Sequence, residues 1–160
     1  MTTKALVLTA LFGASSCGPP PDFVTPNGHA EFYLNGVGTV TPEIADVMEG
    51  QAVALMTEQY GSERLGDFWA AISGAQVSFY KGFVGCGSIE GAVGCYHALS
   101  ESIYLTAYTC PWDSPYVHEL VHRLQDKVMY LNDGQHLGPI WKGVNRAQGE
   151  NRKKCYGTYI

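Results

Sequence analysis

The chain predicts an α+β domain, with a small sheet packed against two main helices, on three observations. Two stretches carry apolar residues at the helical period, and short β-branched and aromatic runs lie between them. The length of 160 residues suits a single compact domain with one core.

The N-terminus stands outside that domain. Lys4 precedes an apolar run over residues 5–12, followed by small residues and Cys17. Such a run is too short to span a bilayer and has the layout of a secretory signal. The segment Gly13-Ala14-Ser15-Ser16-Cys17 resembles a bacterial lipoprotein signal. That resemblance implies removal of residues 1–16 and a lipid on Cys17 that anchors the protein to a membrane, facing the periplasm or the cell exterior. Secretion without lipid is the other reading. Residues 17–28 then form a tether, stiffened by Pro19-Pro20-Pro21, and residues 29–160 form the domain.

Within the domain, residues 30–34 predict a short strand, closed by the turn glycines Gly36 and Gly38. Thr41 before Pro42 and Glu43 starts a helix: a capping hydroxyl, a proline at the first helical position and an acid in the first turn. Ile44, Val47, Met48, Ala52, Leu55 and Met56 carry that helix to about Tyr60 as an apolar stripe. A shorter helix follows over residues 65–72, with Phe68 and Trp69. Residues 76–80 and 102–107 have strand character, separated by a glycine-rich loop between Cys86 and Cys95. Ser114 and Pro115 open a second long helix that runs to about Met129, with Val117, Leu120, Val121, Leu124 and Val128 on its buried face.

Cys17 aside, the remaining cysteines are Cys86, Cys95, Cys110 and Cys155, an even set suited to an oxidising compartment. The glycine-rich stretch between Cys86 and Cys95 can turn back on itself, which favours Cys86–Cys95 and leaves Cys110–Cys155. The second bridge would pin the C-terminal tail near the start of the second long helix. No CxxC pair is present for thiolate ligation of zinc. The net charge of −5 comes from scattered acids, and the basic cluster Arg152-Lys153-Lys154 reads as a solvated helix end. Nucleic-acid binding is therefore not expected.

The second long helix carries the chemistry, in His118-Glu119-Leu120-Val121-His122. Positions i and i+4 share a helix face, so both imidazoles can reach one metal ion while Glu119 faces its water. A hydrolytic zinc site needs a third protein ligand and an open position. Asp126 lies a further turn along, on the order of 6 Å from the ion's place, and is set aside. His136 is favoured, because Asn132-Asp133-Gly134-Gln135 is a turn-forming segment that can return an imidazole to the helix. Glu150 on a following helix is the main alternative, with Asp133 and His97 behind it. Asp133 is also a candidate to hydrogen-bond a ligand imidazole.

On these residues the chain resembles the zincin metallopeptidases, specifically small exported bacterial lipoproteins, across residues 103–141. The resemblance implies one catalytic Zn2+ held by His118 and His122, with Glu119 as general base, and a peptide or protein substrate. It further implies that the strand before the active helix, residues 103–107, lies at a sheet edge and pairs with extended substrate. A second electrophile is expected near the metal, with Tyr130, Tyr156 and Tyr159 as candidates. The protein is expected to act as a monomer. Two other readings stand beside this one: a non-catalytic zinc-binding or envelope-associated lipoprotein, and hydrolysis of a non-protein amide such as a cell-wall cross-link.

Overall fold

The structure is a computed structural model and describes residues 18–131, 134 and 136–157. The signal, Cys17, Asp133 and Tyr159 lie outside the described residues, so the expectations placed on them do too.

The order of elements matches an α+β domain. Strands β1 (Phe23–Val24) and β2 (Glu31–Tyr33) precede helix α1 (Pro42–Tyr60), and helix α2 (Leu65–Ile72) precedes strand β3 (Gln76–Tyr80). Strands β4 (Val84–Cys86), β5 (Ile89–Ala92), β6 (Gly94–His97) and β7 (Ser102–Thr106) follow, then helices α3 (Tyr116–Met129) and α4 (Ile140–Tyr156). The main sheet has the order β1-β2-β3-β7-β6, and β4 and β5 form a separate hairpin. β2, β3 and β7 run parallel, while β1 and β6 are antiparallel to their neighbours.

Local chemistry explains the helix ends. Thr41 Oγ1 accepts the Ile44 N–H at 3.4 Å, and Pro42 occupies the first helical position without losing a bond. α3 begins at Tyr116, one residue later than Pro115, and Ser114 Oγ accepts the Tyr116 N–H at 3.3 Å. It ends where Tyr130 turns left-handed, with φ 53°.

The core lies between the sheet and the helices. Phe32, Val77, Phe79, Ile103 and Leu105 of the sheet are buried with Met48, Ala52 and Met56 of α1 and with Val117, Leu120, Val121 and Leu124 of α3. Each fully buried Leu, Ile, Phe or Met contributes about 1.5–3 kcal/mol relative to exposure. This burial fixes the roll of α3 about its axis, so that His118 and His122 face away from the core.

One expectation is overturned. Residues 102–106 are not at the sheet edge: β7 lies between β3 and β6, paired in register on both sides. The reason lies in the segment read as a loop between the cysteines. Gly87, at φ 59°, turns the chain into the β4–β5 hairpin, which continues directly into β6. The edge strand is therefore β6, which runs antiparallel to β7 with Cys95 opposite Tyr104.

Two disulfides, Cys86–Cys95 and Cys110–Cys155, have Cα separations of 5.4 and 6.0 Å. They indicate an oxidising, extracellular-type environment. Among the described residues no helix is long and apolar enough to cross a membrane. The basic cluster is an exposed helix end, as expected, and two of its residues also reach the segment before α3. Arg152 Nε donates to Asp113 Oδ1 at 2.5 Å, Lys154 sits 3.4 Å over the Trp112 ring, and Lys153 pairs with Glu150 at 2.7 Å.

Candidate metal centre

The i, i+4 spacing on α3 sets His118 and His122 side by side, with ring centroids 5.0 Å apart. Beyond Tyr130 the chain reverses and brings His136 back over them. The backbone of His136 has φ 56°, a conformation that residues other than glycine rarely adopt and that clusters at functional sites.

Three ring nitrogens converge there. His136 Nε2 lies 2.8 Å from His122 Nε2 and 3.1 Å from His118 Nε2. A neutral imidazole offers one N–H and one lone pair, so a proton on His136 could bridge to one neighbour only and would leave another lone pair facing it. A shared cation satisfies all three. Nitrogens bound at 2.0–2.1 Å in tetrahedral geometry stand about 3.3 Å apart, close to the spacing found. Burial, then the nearby His136, lowers the His118 pKa to about 4, so its lone pair stays available at neutral pH.

Trp141, at the start of α4, floors the group. Its ring centroid lies 4.9, 4.6 and 4.3 Å from those of His118, His122 and His136. Its position, five residues after His136 in the turn-to-helix segment, was the only sequence signal for this role.

Glu119 projects beside the histidines into the gap between α3 and β6. It is 6% exposed, and burial raises its pKa to about 7 against the lowering effect of a hydrogen bond from the Tyr96 main-chain N–H. A carboxylate poised there suits proton transfer near neutral pH. Gly94 makes the room: a Cβ at that position would lie 2.6 Å from Glu119 Oε1.

The remaining candidates fall elsewhere. His118, His122 and His136 form the one group of potential metal ligands among the described residues. Glu150 is exposed and paired with Lys153, while His97 bonds Ser100 Oγ at 3.0 Å on the surface. Asp126 accepts the Tyr96 hydroxyl at 2.7 Å and takes no place among the ligands. Tyr130 is 89% exposed, and the Tyr156 hydroxyl turns to Asp113 at 3.3 Å. Tyr108, which was not singled out in the sequence, lines the cleft instead.

That cleft has a volume of about 720 Å3 and runs along β6, over the histidines, to α4. Ile89, Ala92 and Val93 of the hairpin form an apolar wall, and Asn145 and Gln148 of α4 face it with amides. No known protein family, curated protein or solved structure matches the chain.

Proposed function

We propose that the protein is an exported zinc-dependent peptidase, anchored through a lipid on Cys17. The observation that carries this reading is the convergence of three imidazole Nε2 atoms beneath an open edge strand, with a buried glutamate beside them. His118, His122 and His136 would hold the ion. Zinc bound there would act as a Lewis acid on a carbonyl and lower the pKa of a water in the cleft.

The chain's own groups supply the rest. Glu119 takes a proton from the attacking water and returns it to the amine that leaves, so the carboxylate ends the cycle as it began. The substrate lies extended along β6 and antiparallel to it, bonded to main-chain groups at the free edge. The hairpin wall and α4 flank that strand. Three protein ligands among the described residues, opening on a cleft, favour a hydrolytic site over a structural one, which four protein ligands would close.

The test is Glu119→Gln in the zinc-loaded protein, assayed on a mixed peptide library. Cleavage by the parent, abolished in the variant with zinc retained, is expected. Absence of Glu119-dependent cleavage would leave a zinc-binding envelope protein as the better reading.

A further inference from the structure

We propose that the edge strand β6 sets the position of the Glu119 carboxylate, with Tyr96 and Asp126 acting as a positioning pair. This inference rests on the peptidase reading above.

The register of β6 is the starting point. Val93 C=O accepts the Thr106 N–H at 2.9 Å, so Val93 faces β7. Antiparallel pairs alternate between bonded and non-bonded positions, so Cys95 and His97 also bond β7, while Gly94 and Tyr96 turn their main-chain groups to the free edge. The outward N–H of Tyr96 meets the Glu119 carboxylate.

Side chains alternate as well. Those of positions 94 and 96 face α3, and Cys95 faces the opposite side, where its disulfide to Cys86 holds the hairpin. A Cβ at position 94 would displace Glu119 from its present place, and the Tyr96 hydroxyl reaches Asp126 Oδ2 at 2.7 Å. Glu119 and Asp126 are two helical turns apart on one face of α3, about 10 Å along its axis. The strand is thus pinned to the helix at two points, one of which is the general base itself.

The helix backbone alone does not fix a glutamate, whose side chain has several staggered states open to it. The close approach of Gly94 and the outward Tyr96 N–H together select one of them, and the Tyr96–Asp126 clasp holds the strand at the height of that contact. Without the clasp the strand can lift and the carboxylate loses its orienting N–H. The side chains of Tyr96 and Asp126 touch neither the substrate nor the ion in this scheme; the Tyr96 N–H turns to Glu119, which leaves the Gly94 groups and the Tyr96 C=O for an extended substrate.

The test uses the full-length zinc-loaded protein with Tyr96→Phe, Asp126→Ala, Asp126→Asn and the double variant Tyr96→Phe/Asp126→Ala. Misplacement of the base and of the strand predicts a fall in kcat/KM of about 10- to 100-fold in Tyr96→Phe and Asp126→Ala, with kcat itself lowered and zinc content full. Asp126→Asn keeps an acceptor oxygen and should stay near the parent, and the double variant should be no worse than either single change. Amide exchange at residue 96 supplies a readout independent of turnover: it should accelerate in Asp126→Ala. Unchanged exchange there, multiplied losses in the double variant or loss of zinc would overturn the positioning role. A parent without Glu119-dependent cleavage would refute the peptidase reading, and the exchange result would still decide whether the clasp holds the strand.

Discussion

Glu49 makes a prediction about stability that can be worked from the structure. It lies on the buried face of α1, fully enclosed, where its Oε1 accepts the hydroxyl of the equally buried Tyr116 at 3.0 Å. Its other oxygen is buried and faces Thr25 and the main chain of Gly28, whose polar groups favour its charged form. Burial raises its pKa from 4.5 to about 7, with the nearby Thr25 and the hydrogen bond from Tyr116 opposing the rise and the charge of Asp46 adding to it. The folded state therefore keeps a proton that the unfolded chain has released between pH 4.5 and 7. The stabilisation is complete below the lower value and is lost as pH rises through the upper one, a fall of about 3 kcal/mol at 1.36 kcal/mol per pKa unit. Glu49→Gln retains an acceptor for Tyr116 and cannot ionise. Urea unfolding of both proteins at matched metal loading, from pH 4.5 to 8, should give a stability difference that shifts in favour of the variant by about that amount. The comparison cancels the titration of His118 and Glu119, which both proteins share. Parallel pH profiles would refute the assignment of a protonated, buried Glu49.

Other perturbations separate the stability of the fold from that of the site. The Cys110–Cys155 bridge spans 45 residues and Cys86–Cys95 spans 9. Replacing the first pair with serine should cost about 4 kcal/mol in denaturant unfolding and the second about 3 kcal/mol, yet cleavage should suffer more from the second, because it holds the edge strand. Trp141→Leu removes the ring that packs on all three imidazoles, and titration with a chelator should show zinc affinity lowered by about 10- to 100-fold. Gly94→Ala should impair peptide cleavage with zinc retained, because Glu119 and a Cβ at position 94 cannot occupy their present places together; unchanged turnover would show that the strand yields.

Much of the fold was legible because its signals are local. The Thr41-Pro42-Glu43 start, the apolar stripe of α1 and the periodicity of α3 each depend on a few neighbouring residues, and the structure has those helices within a residue of their predicted starts. The cysteine pairing followed from a turn that a glycine-rich stretch can make. The edge strand did not follow, since Gly94-Cys95-Tyr96-His97 has no alternation of apolar and polar residues and takes its strand form from pairing with β7. That single misreading also hid the surroundings of Glu119, because Gly94 and Tyr96 become significant only once β6 lies across α3. In the site itself, the helix period brought His118 and His122 together in advance, while the place of His136 depended on how the chain reverses after Tyr130. Trp141 could be seen as an aromatic residue near that turn, but its contact with three rings is a product of packing alone.

The measurement that bears most directly on the metal centre is the zinc content of the purified protein beside His122→Ala and His136→Ala. One zinc per chain, lost or greatly weakened in both variants, is the result predicted by a shared ion among His118, His122 and His136. Zinc retained by His136→Ala, or no zinc in the parent after reconstitution, would contradict it.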